Sequence, residues 1–151
     1  MYSTFLLVHS VLRWAVIAAG VVAVVRAWRA SSVRELRDFR QRRADGRAFT
    51  VLFDLQFLVA LILYFLLSPV TTAALHHFGA AMSNNVARFW AVEHPFGMIA
   101  GLALAHIGRA KCRRTGSPQQ RRRGAIYFSL ALLVVLVSVP WPFLPYGRPL
   151  L

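Results

Sequence analysis

The chain has 151 residues, a formal charge of +13 at pH 7, and 58% hydrophobic residues. Its mean hydropathy is +0.54. This composition excludes an ordinary water-soluble domain, because a chain of this length has too little core to hide so much apolar surface. We therefore expect a single integral membrane domain covering residues 1–151.

The cations lie in two blocks. Residues 26–47 hold eight arginines and residues 109–123 hold seven Arg or Lys, which leaves only Arg13, Arg88 and Arg148 elsewhere. Both blocks flank apolar runs, a pattern typical of cytoplasmic loops and not of a nucleic-acid interface. The single cysteine, Cys112, lies in the second block, so no intramolecular disulfide forms and a reducing compartment fits.

Four apolar runs predict transmembrane helices at about residues 4–27, 49–68, 86–108 and 125–139. The basic blocks place the first and third connections in the cytoplasm, so both termini lie on the outer side. We expect an all-α, up-down four-helix bundle. The first run starts without a basic segment before it, which is not typical of a cleavable signal peptide.

The connections carry further signals. Residues 32–39 combine capping-box spacing with helical periodicity and predict a short interfacial helix. The external connection holds His76 and His77, whose neighbouring side chains point in different directions, so an exposed pair is favoured over a metal site. Residues 140–151 contain four prolines and several aromatic residues, which predicts a non-helical tail in the outer interfacial belt.

Two histidines are predicted to lie at similar depth near the outer face, His9 in the first span and His94 in the third. The first and third helices of an up-down bundle are diagonal and parallel, so inward side chains from them meet across the axis. This arrangement suits a haem b whose iron is bound by one imidazole on each side. Ionisable groups at membrane depth are candidates for function in any case.

The residues that share a helical face with His9 and His94 are part of the same predicted site. His94 heads a stripe with Gly97 and Gly101, which either leaves room for a macrocycle or forms a GxxxG packing motif. Arg13 lies one turn from His9 and either meets a haem propionate or forms a buried ion pair with Glu93.

A proline interrupts the third span beside this histidine. Pro95 removes a backbone donor and frees the carbonyl of Ala91. We expect a kink beside His94 or a helix that begins at Pro95.

A second polar layer lies towards the cytoplasmic face. Asp54 enters the second span near its start and His106 lies near the end of the third. Three interpretations stay open: a satisfied hydrogen-bonded pair, a proton-relay or quinone-headgroup site, and ligands of a second cofactor. His106 lies about 120° around the helix from His94, so the two do not share a site.

Several segments together resemble small bacterial four-helix membrane proteins commonly labelled "cytochrome B". They are HSVLRW at 9–14, LQFLVALILYFLLSP at 55–69, RFWAVEHPFGMIAGLALAHIGR at 88–109, and PWPF and GRP near the end. The resemblance covers all four spans and implies a haem-b-like protein of the bacterial inner membrane, with His9 and His94 on histidines of the pattern. Asp54 stands where a histidine is expected, which puts a second haem in doubt.

Three functions follow. The first is a b-type cytochrome that exchanges electrons with a quinone or an external partner. The second is a non-catalytic accessory subunit of a larger respiratory or photosynthetic membrane complex, with other subunits or a homo-oligomer as partners. A transporter is disfavoured, since four spans without an inverted repeat offer little machinery for alternating access. The sequence contains no Gly-rich phosphate loop and no nucleophile arrangement typical of soluble enzymes.

Overall fold

The computed structural model describes residues 1–29, 46–113 and 118–148, in which all regular structure is helical. In chain order the elements are α1 (Tyr2–Arg29), α2 (Arg47–Ile62) with a π turn (Leu63–Leu67), α3 (Pro69–His76), α4 (Phe78–Ser83), α5 (Asn85–Arg88), a second π turn (Phe89–Glu93), α6 (His94–Arg113) and α7 (Pro118–Ser138). The predicted interfacial helix at residues 32–39 lies outside the described residues.

The long helices α1, α2, α6 and α7 pack around a common core. Helices α1 and α6 each pack against both α2 and α7, which places α1 and α6 at opposite corners. The largest buried side chains are aromatic: Phe49 lies 5.9 Å from Phe53 and 6.1 Å from Phe128, measured between ring centroids. These rings join α2 to α7 at the centre of the fold.

Two helices in the described part of the chain are long and apolar enough to cross a membrane by length and composition, Tyr2–Arg29 and Arg47–Leu67. They correspond to the first and second predicted spans. Helix α2 and its π turn end before Pro69, whose ring is incompatible with continuing the helix. Ser68 then caps α3 by accepting a hydrogen bond from the Thr71 backbone amide.

The second basic block differs from the prediction. We expected a loop from 109 to 123 and a fourth span from about 125, but α6 continues to Arg113 and α7 already begins at Pro118. Proline is well suited to the first helical turn, and the glutamines and arginines that follow are good helix formers. Cys112 therefore lies within α6 and is buried.

The chain stays helical through the region before Pro95, with a π turn between α5 and α6. The backbone amide of His94 donates to the carbonyl of Phe89, so the chain passes through a π turn and α6 does not begin at Pro95. The Ala91 carbonyl, which Pro95 leaves without its helical donor, accepts a hydrogen bond of 2.7 Å from the Tyr64 hydroxyl. The carbonyl that Pro95 leaves unpaired is thus satisfied by a side chain of the π turn that follows α2.

The C-terminal segment 139–148 forms turns and no helix. Within this segment, the indole Nε1–H of Trp141 donates to the Leu136 carbonyl at 2.8 Å. Tyr146 stacks on Phe89 with ring centroids 3.6 Å apart. These contacts hold the segment across the end of the helices where α1 begins.

Candidate cofactor-binding site

A cavity of about 470 Å³ lies among the four long helices and beneath the C-terminal segment. Its volume falls within the range of about 300–1,000 Å³ that is typical of small-molecule sites. Both predicted histidines line it, His9 from α1 and His94 from α6. A second cavity of about 250 Å³ adjoins it and is lined by the same two histidines.

His94 is oriented by the end of α7. Its Nδ1–H donates to the Ser138 carbonyl at 2.7 Å. Because a carbonyl oxygen only accepts, the proton is on Nδ1, and Nε2 is the nitrogen left to bind a ligand. Histidines that bind metals commonly have their second nitrogen held in this way.

His9 is held differently, by a residue whose role the sequence analysis did not identify. The Gln56 side-chain amide donates to His9 Nε2 at 3.2 Å. Gln56 is only 6% exposed, and its Oε1 has no hydrogen-bond partner among the described residues; His9 Nδ1 is likewise buried without one. For His9 to bind a metal through Nε2, Gln56 has to release this hydrogen bond.

The cavity is positively charged. Arg13, only 8% exposed, and Arg148 both line it, and none of its described lining residues is acidic. The Arg148 guanidinium lies 4.6 Å from the centroid of the Trp90 ring, and its Nη1–H donates to the Tyr2 hydroxyl at 2.9 Å. A ligand that carries carboxylates at its edge complements this charge.

The interpretation of Gly97 and Gly101 as cavity residues is not what the structure shows. A Cβ at Gly97 would collide with Ser138 of α7. A Cβ at Gly101 would lie 3.3 Å from Val135 Cγ2 and 3.4 Å from Phe53 Cζ. Neither glycine lines the cavity. The helical stripe identified their common face correctly, but that face packs closely against α7 and α2.

Asp54 and His106 are brought together, as the sequence analysis considered. His106 Nε2–H donates to Asp54 Oδ1 at 2.8 Å between α2 and α6. The pair is separate from the histidine cavity and faces outwards, with the His106 and Asp54 side chains 46% and 44% exposed.

The other polar residues singled out in the sequence, His76, His77 and Glu93, do not line either cavity. His76 ends α3, and both it and His77 are exposed. Glu93, which we considered as a partner of Arg13, forms an ion pair of 2.7 Å with Arg88.

The residues at the cavity fit a haem b. Two imidazoles from opposite helices line one cavity, one of them is oriented through Nδ1, and two arginines would be available to the two propionates. The described residues contain no group of three or more His, Cys, Asp or Glu suited to a metal ion. A haem iron needs only the two histidines, because the porphyrin supplies its other four ligands.

No family model, curated protein or solved structure matches this chain.

Proposed function

We propose that this chain is a multi-pass protein of the bacterial inner membrane, folded as an up-down four-helix bundle with both termini on the outer side. Helices α1 and α2 support the membrane location. Only 22% of the most apolar 18-residue window of each is buried within the protein. A core helix of a soluble protein would hide most of that surface, whereas a bilayer covers it without further protein contacts.

The distribution of charge supports the orientation. The described cationic ends of α1, α2, α6 and α7 lie at the end of the bundle opposite the C-terminal segment. Under the positive-inside rule this end is cytoplasmic. The histidine cavity then opens towards the outer side, beneath the segment that contains Arg148.

Within this bundle, His9 and His94 would hold a haem b in the cavity. The observation that carries the proposal is that histidines from diagonal helices line one cavity together with two arginines. The Ser138 carbonyl positions His94, and Arg13 and Arg148 would pair with the propionates. When bound, the haem supplies one-electron transfer, and the membrane location makes a quinone or a protein at the outer face the exchange partner.

Substitution of the two histidines tests this proposal. We expect His9→Ala and His94→Ala each to abolish the reduced α-band of the purified protein. An iron held by two histidines would lose its low-spin state when either histidine is removed. His76→Ala is the matched control, since His76 is exposed and outside the cavity, and should keep the band. A full α-band in either cavity variant contradicts the ligand assignment.

The second candidate is an accessory subunit of a larger membrane complex. It is favoured by Phe143, which is 80% exposed in the C-terminal segment and stacks parallel to Trp141. An aromatic side chain presented by a turn offers a docking point for a neighbouring subunit. Extraction of the native protein in mild detergent tests this candidate: migration in a large complex supports it, and an isolated small species contradicts it.

A further inference from the structure

The Asp54–His106 pair faces outwards from α2 and α6, near the cytoplasmic end of the proposed membrane-spanning part. At 1.5 Å per residue, Asp54 is about 10 Å from the start of α2, and His106 is about 10 Å from the end of α6. With the membrane placement proposed above, on which this inference rests, both groups lie near the cytoplasmic edge of the hydrocarbon layer, because Arg109 follows His106 by only one helical turn. Nearly half of each side chain is exposed there.

Apolar side chains flank the pair, and one turn towards the cytoplasm Arg109 donates to the Thr50 hydroxyl at 3.1 Å. Val51 and Leu58 share the helical face of Asp54, and both are exposed, as is Ile107 next to His106. A polar pair in such a surrounding is costly when only acyl chains cover it, because acyl chains offer no hydrogen bonds. The occupant of this face therefore has an apolar body and a polar group at the depth of the pair.

The free hydrogen-bonding positions of the pair restrict the class of ligand that it can bind. His106 Nε2–H is used by Asp54 Oδ1, which leaves His106 Nδ1 and Asp54 Oδ2 without further partners among the described residues. With a neutral imidazole, both remaining positions are acceptors. They match a ligand that presents hydroxyl donors, and they disfavour a second copy of this face, which would bring two carboxylates together.

We propose that the Asp54–His106 pair binds the headgroup of a membrane quinol, a lipid-soluble hydroquinone. A hydroquinone hydroxyl donates to His106 Nδ1 or Asp54 Oδ2, and the isoprenoid or alkyl tail lies along the apolar face of α2 and α6. Asp54 positions the imidazole by fixing the proton on Nε2. This site extends the proposed function, because it gives the quinol that exchanges electrons a binding site separate from the haem cavity.

The test uses the full chain in phosphatidylcholine nanodiscs with ¹⁵N-labelled histidine rings. Decylubiquinol, titrated anaerobically, should produce a saturable shift of the His106 ring nitrogens and leave those of His76 unchanged. Decylubiquinone lacks the hydroxyl donors and should bind about tenfold more weakly, the change expected from losing one hydrogen bond. This comparison needs no variant and is unaffected by misfolding.

The variant Asp54→Asn keeps the shape of the side chain and should weaken decylubiquinol binding about tenfold. His76→Gln is the control and should bind as the wild type does. Equal binding of quinone and quinol, an unchanged affinity in Asp54→Asn, or the absence of a saturable shift at His106 would overturn the proposal. A dimer of the wild-type protein, seen by mass photometry and dissociated by Asp54→Asn, would also overturn the proposal. A second copy of the chain would then occupy this face.

Haem content measured on the same preparation separates the two proposals. Haem without a quinol response at His106 overturns only the quinol site. A quinol response at His106 without haem supports the quinol site and overturns the haem proposal.

Discussion

Replacement of the two glycines of α6 by alanine distinguishes a packing role from a cofactor role. In the middle of a helix, Ala is favoured over Gly by about 1 kcal/mol, and this gain is shared by Gly97→Ala and Gly101→Ala. The contacts that the added Cβ would make differ between the two positions. The new Cβ at 97 would meet Ser138 Oγ and lie 2.9 Å from Ser138 Cβ, whereas the new Cβ at 101 stays 3.3 Å or more from its neighbours.

The difference between the variants therefore isolates the collision. Overpacking of a well-packed contact costs about 1–3 kcal/mol, so we expect Gly97→Ala to be less stable than Gly101→Ala by that amount. For a chain of about 150 residues, this corresponds to a difference in Tm of about 3–9 °C. Gly101→Ala should stay within about 1 kcal/mol of the wild type, since a shift of a few tenths of an ångström relieves its contacts.

The assay is thermal unfolding of the haem-free protein in detergent, followed by circular dichroism at the helical band. Adding Ser138→Gly to Gly97→Ala removes the obstructing side chain and should recover at least half of the lost Tm. The reasoning is refuted if Gly97→Ala is as stable as Gly101→Ala. It is also refuted if both variants keep the wild-type Tm and lose haem equally, because the glycines would then border the cofactor.

Two further contacts give predictions of their own. Tyr64→Phe removes the donor to the Ala91 carbonyl and should lower the free energy of unfolding by about 1 kcal/mol, measured by chemical denaturation. An unchanged stability would show that this hydrogen bond does not stabilise the π turn before α6. Arg148→Met removes the hydrogen bond to Tyr2 and the contact with Trp90, so limited proteolysis should cleave the C-terminal segment faster than in the wild type. An unchanged cleavage rate would mean that stacking alone retains the segment.

The sequence identified the features that depend on one helix at a time. Apolar runs located the long helices, and the positions of His9 and His94 along their helices predicted a meeting that the structure shows as one shared cavity. The same rise per residue placed Asp54 and His106 at similar depth, and in the structure His106 Nε2 lies 2.8 Å from Asp54 Oδ1. Rise per residue and helical periodicity are enough for such predictions.

Features that depend on the relative rotation of helices were not predictable in this way. A helical stripe shows that Gly97 and Gly101 share a face, but not that the face meets α7. The contact of Gln56 with His9 follows from how α2 turns towards α1, which the periodicity of α2 alone does not give. A polar amide within an apolar span was the available signal. Arg148 reaches the cavity because the C-terminal segment folds back, which its prolines alone do not specify.

The central claim is that one haem b lies between His9 and His94, and the most direct measurement is the haem content of the purified wild-type protein. The protein is expressed with ample haem, and its dithionite-reduced minus oxidised spectrum is recorded together with a pyridine haemochrome assay. We expect a b-type α-band and about one haem per chain. A chain that contains no haem under these conditions would contradict the claim and make the two histidines packing groups of an accessory subunit.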